Sequence, residues 1–131
     1  PYMDGTSEDT VQTYERTFTK SDVRTFADVS RDRQPRHLEP DEDSRLMVHG
    51  LLTATLPTKL GGDSEVLASR MDFQFHRPLY TGETVHCRTE REQVTEREDR
   101  YDVVSSVECT VDGTVVMDGT VEGVIYKGRD D

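Results

Sequence analysis

Met47-Val48-His49-Gly50-Leu51-Leu52-Thr53-Ala54-Thr55-Leu56-Pro57-Thr58-Lys59-Leu60 is the stretch on which the fold turns. Apolar residues at 47, 48, 51, 52, 54, 56 and 60 leave almost no polar face, a pattern that predicts a helix buried nearly all round. Pro57 lacks an N–H and should kink or shorten this helix, and Gly61-Gly62 should close it. A lone helix of this kind needs a curved layer to cover it.

The residues that follow supply such a layer. Leu67, Ser69, Met71, Phe73 and Phe75 alternate with Ala68, Arg70, Asp72 and Gln74, and a second alternation runs through Tyr101, Val103, Ser105, Val107, Cys109 and Val111. Val115, Met117, Val121 and Ile125 continue it, while Thr84 to Glu96 alternates more weakly. Each reads as a half-buried antiparallel strand. Turn chemistry at Pro78 to Gly82, Glu98-Asp99 and Asp112-Gly113 separates them.

Upstream, residues 1 to 11 read as a loose polar lead-in, Thr13 to Phe18 as a first strand, and Thr19 to Val29 as a short capped amphipathic helix. Arg31 to Arg45 is dense in acids and arginine, carries Pro35 and Pro40, and should be irregular. It places Asp32 and His37 five residues apart around Pro35, which should hold the segment as a stiffened loop rather than a helix. The whole is an α+β order that fits one domain over 1–131: an antiparallel sheet wrapped round a central helix.

Composition narrows the function. The chain is 32% apolar and 33% charged, with formal charge -11, a field that repels nucleic acid and anionic lipid. Only three of the sixteen basic residues are Lys and there is no Trp, a balance that resembles proteins of salt-accumulating haloarchaea. Cys87 and Cys109 form no CxxC and read as buried structural thiols, and no histidine pair has helical metal spacing with an acid, so no metal is expected. No run reaches the ~20 apolar residues of a membrane span, and a soluble cytoplasmic protein is expected.

Three ordered motifs carry a resemblance. Ser30-Arg31-Asp32-Arg33-Gln34-Pro35-Arg36-His37-Leu38-Glu39 is similar to the S-G-D-x-N-P-x-H-x-D signature of the MaoC-like (R)-specific enoyl-CoA hydratases, a family of the hot-dog fold. His49-Gly50-Leu51-Leu52 resembles that family's H-G-M-L helix start, and Phe75 to Glu83 its F-x-x-P-x-x-x-G-D turn. Arg31 stands where the family has Gly, and Gln34 where it has Asn.

The resemblance implies reversible addition of water to a trans-2-enoyl-CoA, giving an (R)-3-hydroxyacyl-CoA. Coenzyme A would enter as part of the substrate, with no separate cofactor, and the protein would be a homodimer. Asp32 and His37 would be the catalytic pair, holding one water between them; which of the two deprotonates it stays open. The backbone N–H of Gly50 would meet the thioester oxygen. His49 would be a helix-start packing residue, and Thr55 would present its hydroxyl to Asp32. Arg31, Arg33, Arg36 and Arg77 could meet the coenzyme A phosphates. Two rivals share the fold: an acyl-CoA thioesterase and a non-catalytic acyl-CoA-binding protein.

Overall fold

The computed structural model describes residues 10–128, so the lead-in expected over residues 1 to 11 lies, apart from Thr10 and Val11, outside the described residues. In chain order come β1 (Val11–Thr17), α1 (Lys20–Ser30), α2 (Pro35–Leu38), α3 (Gly50–Thr53), α4 (Thr55–Asp63), β2 (Leu67–Phe75), β3 (Thr84–Glu96), β4 (Arg100–Val111) and β5 (Thr114–Tyr126). The strands form a single antiparallel sheet in the order β1-β3-β4-β5-β2.

The sheet must curl. β1 and β2 lie at its opposite edges, yet α4 packs against both, as well as against β3. Strands sit roughly 4.8 Å apart, so in a flat five-stranded sheet one helix about 10 Å wide could not reach both edges. Leu56 and Leu60 of α4 enter this curl and meet Phe18, Leu46, Val85, Cys87, Cys109 and Met117 in the core. Cys87 and Cys109 stand opposite each other across β3 and β4, both free and buried. Contact with Cys87, then burial, pushes the Cys109 thiol up, so it stays protonated and inert. The β4–β5 hairpin closes through Asp112 and Gly113, both at positive φ, which is the two-residue turn that suits the twist of the strands.

Several local expectations need correcting. The apolar stretch is helical only from Gly50 and is broken at Ala54, before Pro57 rather than at it. In an unbroken helix the Thr53 carbonyl would need the N–H that Pro57 lacks and would meet its ring, so the chain loosens one turn earlier. Nor is the stretch buried all round, for Leu51 is 69% exposed. Gly61 and Gly62 sit inside α4; closure falls to Glu65, at φ 60, with the Val66 N–H donating to the Gly61 carbonyl.

Pro35 begins a one-turn helix instead of stiffening a loop. Its fixed φ suits the first helical position, where the absent N–H costs nothing. β1 begins at Val11, two residues early. β2 is a strand as expected but is not half-buried: at the sheet edge, Leu67, Met71 and Phe75 are exposed. Among the described residues no helix is long and apolar enough to cross a membrane.

Candidate active site

α1 delivers the acid. Its start is fixed by a capping box, in which the Thr19 hydroxyl accepts from the Asp22 N–H and the Asp22 carboxylate from the Thr19 N–H. Its end is fixed by Arg31 in the left-handed region, φ 67, with the Arg31 N–H donating to the Ala27 carbonyl. The position thus keeps the backbone conformation that glycine adopts freely, although it carries a side chain. The chain turns there, and the Ser30 hydroxyl accepts from the Asp32 N–H at 3.1 Å.

Asp32 then has two unlike oxygens. Oδ1 accepts from the Gln34 side-chain amide at 2.9 Å, while Oδ2 lies 3.8 Å from Nε2 of His37. The Gln34 amide, helped by the nearby imidazoles of His37 and His49, holds the Asp32 carboxyl below its usual 3.8 against the opposing effect of desolvation. Gln34 therefore does more than replace an asparagine: it fixes which oxygen faces His37.

His37 is buried on α2. Its Nδ1–H donates to the Met47 carbonyl at 2.7 Å, which leaves the lone pair on Nε2 and turns it toward Asp32. Met47 is itself held on both sides. Its N–H donates to the Arg36 carbonyl, it bridges to Tyr80, and the neighbouring Val48 and Thr81 amides tie the 46–48 segment to the Leu79–Thr81 turn. The Thr81 hydroxyl also accepts from the Leu46 N–H. The three motifs thus meet in space: the turn after β2 braces the strip that orients the imidazole of the first motif.

His49 and Gly50 close the other side. The His49 ring stacks on His37, centroids 3.7 Å apart and planes at 15°, and meets the Phe26 ring edge-on. Its Nε2–H donates to the Asp32 backbone carbonyl at 3.0 Å. Burial first, and the nearby His37 ring, lower its pKa from 6.5 against the opposing bond to Asp32, so the ring is neutral at pH 7. Gly50 follows with an N–H that no acceptor takes among the described residues. α3 is a single turn with little dipole, so whatever this N–H gives an anion comes from the unpaired bond itself. Gly50 and Met47 line a cavity of about 460 Å³ with Thr53, Phe75, His76 and Arg77; Asp32 and His37 lie outside that lining.

Thr55 is not at the site. Its hydroxyl donates to the Leu52 carbonyl across the break between α3 and α4, and Gln34 holds Asp32 instead. Asp32, His37 and His49 have metal-ligand side chains with donor atoms within 4.8 Å of one another. Two stacked imidazoles, however, aim their in-plane lone pairs along nearly parallel planes, and these cannot converge on one ion.

The MaoC like domain family matches residues 4–113, a span that contains all three motifs. The chain belongs to this family. This MaoC-like domain is 30% identical over 111 residues to a 3-hydroxybutyryl-CoA dehydratase of Methylorubrum extorquens, covering 77% of this chain and 69% of that protein. It is 24% identical over 120 residues to a mitochondrial 3-hydroxyacyl-[acyl-carrier-protein] dehydratase of Arabidopsis thaliana, covering 84% and 72%. In structure it is similar to the (R)-hydratase of A. caviae involved in PHA biosynthesis, with TM-score 0.77 and 24% identity over 89% of this chain and 94% of that one. At that identity the likeness establishes the hot-dog fold.

Proposed function

We propose that this MaoC-like domain is a hydro-lyase that interconverts a trans-2-enoyl-CoA and an (R)-3-hydroxyacyl-CoA. The observation that carries the reading is the 3.8 Å gap between Asp32 Oδ2 and His37 Nε2. It is too long for a direct hydrogen bond, and both atoms are acceptors because Nδ1 of His37 holds the ring proton. One water can donate to both. As its oxygen attacks C3, the pair takes one proton from it and returns one to C2, so that H and OH are added with no net change in the pair. The free Gly50 N–H stands one residue past His49, where it can donate to the thioester oxygen as negative charge develops on it. The dehydratase activities named for its two relatives fit the same reaction read in reverse.

The test is hydration of crotonyl-CoA in high salt. Asp32→Asn and His37→Ala should each lower kcat by about 10²- to 10⁴-fold, and wild-type rates in either variant would overturn the assignment. Release of free thiol from acyl-CoA without hydration would point instead to a thioesterase, and binding without turnover to a non-catalytic acyl-CoA-binding protein.

We also propose that the protein acts as a cytoplasmic homodimer. The support is the position of β2 at the sheet edge, where apolar Leu67, Met71 and Phe75 are exposed and the side away from β5 has no neighbouring strand among the described residues, together with two free thiols that suit a reducing compartment. Sedimentation of wild type against a Met71→Glu variant checks it: a shift from dimer to monomer is expected, and a monomeric wild type refutes it.

A further inference from the structure

His49 is placed oddly for a residue that merely packs at a helix start. It is 2% exposed, yet its Nδ1 meets no partner, and beside the edge of Phe26 its ring meets the two members of the proposed catalytic pair. Nε2–H holds the backbone of Asp32, and the ring face lies flat against His37. Ser30 holds only the acid and the Met47 carbonyl only the imidazole; Gln34 meets both residues, but reaches His37 through its backbone carbonyl and the His37 N–H, so only His49 meets both Asp32 and the ring of His37.

We propose that His49 is a positioning residue which sets the Asp32–His37 separation by clamping both at once. The bond to the Asp32 carbonyl fixes the height of the loop after Arg31. The stack fixes the plane of His37 and so the direction of its Nε2 lone pair. The clamp needs an uncharged ring, since a cation stacked on His37 would oppose proton uptake by its neighbour. Phe26, which meets the ring edge-on, is apolar, and among the described residues the titratable groups acting on His49 are His37 and Asp32. The unpartnered Nδ1 is the cost of this arrangement: the hydrogen on Nε2 goes to Asp32, and the other nitrogen is left buried without a partner.

The proposal rests on the hydratase reading for its kinetic consequence, but its geometric content can be read without activity. Two variants split the clamp. His49→Gln keeps a donor at the Nε2 position and loses the aromatic face; His49→Phe keeps the face and loses the donor. Long-range 1H–15N spectra of the histidine side chains should show His37 locked as the Nδ1–H tautomer in wild type and in His49→Phe, and averaging between tautomers in His49→Gln. Both variants should lower kcat for crotonyl-CoA by about 10- to 100-fold, the scale of a misplaced catalytic group, with KM within about twofold. If His49 only packs, both variants lower Tm while the His37 spectrum and the kcat of the folded protein stay at wild-type values, and the proposal fails. If wild type shows no hydration while the His37 tautomer still responds to His49→Gln, the hydratase reading fails and the clamp stands.

Discussion

Replacing Gly50 by proline and, separately, by alanine isolates one hydrogen bond. Pro suits the first position of a helix, and His49, at φ -61 and ψ 142, already has the extended backbone that a residue before proline requires. Gly50→Pro therefore removes the N–H without disturbing α3. The side chain itself must be accounted for, because a Cβ at Gly50 would lie 3.0, 3.2 and 3.3 Å from three atoms of the Phe75 ring. Phe75 is 52% exposed on the edge strand, so the ring can retreat by a few tenths of an ångström at a cost of about 1 kcal/mol or less. Gly50→Ala makes the same Cβ intrusion, without the rest of the proline ring, and keeps the N–H. Alanine should thus reduce kcat for crotonyl-CoA hydration by less than about tenfold, while proline should reduce it by a further ~10²- to 10³-fold, equivalent to ~2.7–4 kcal/mol of transition-state stabilisation. Steady-state rates with matched circular dichroism decide it. If proline falls within roughly threefold of alanine, well under that range, the thioester oxygen is stabilised elsewhere.

Arg31→Gly should stabilise the fold. The left-handed conformation costs a side-chain-bearing residue ~1–2 kcal/mol and glycine's extra freedom in the unfolded chain returns part of that, leaving about 0.5–1 kcal/mol and a Tm higher by a few degrees; a lower Tm by thermal melting would refute it. Acid should unfold the protein in two stages. His49 takes up a proton near 6.5 when unfolded but resists it when folded, so its contribution is complete above that value and erodes as pH falls below it. Asp22, Asp32, Asp41 and Asp102, all held below 3.8 by hydrogen bonds, add a second loss once pH drops through about 4. Urea titrations across pH should show both stages, and His49→Gln should abolish the first. Finally, a surface of net charge -11 repels itself, so Tm should climb as salt is raised from ~0.01 M, where the Debye length is ~30 Å, to ~1 M, where it is ~3 Å; a Tm independent of salt would count against this.

Much of the architecture was legible in the sequence, because its causes are local. Period-two alternation marks β2, β4 and β5; Thr19 and Asp22 mark the start of α1; Asp112-Gly113 marks a hairpin. The candidate pair was legible for a related reason: Asp32 and His37 lie five residues apart in a motif whose chain path Pro35 constrains. Gln34 was visible only as a departure from a family pattern, although its amide was the signal that pointed to the carboxylate two residues before it.

Tertiary structure decided the rest. That Nδ1 of His37 meets the Met47 carbonyl depends on a backbone atom ten residues away, which no side-chain identity announces. That His49 reaches both Asp32 and His37, whereas the Thr55 hydroxyl is taken by the Leu52 carbonyl, is a matter of which segments meet in space rather than of spacing along the chain. The same alternation makes β2 a strand whether it is central or at an edge, so the exposure of Leu67, Met71 and Phe75 was set by the order β1-β3-β4-β5-β2. Periodicity and turn chemistry act over a few residues and can be read along the chain, whereas the partner of a given polar atom depends on which distant segments the curled sheet brings together.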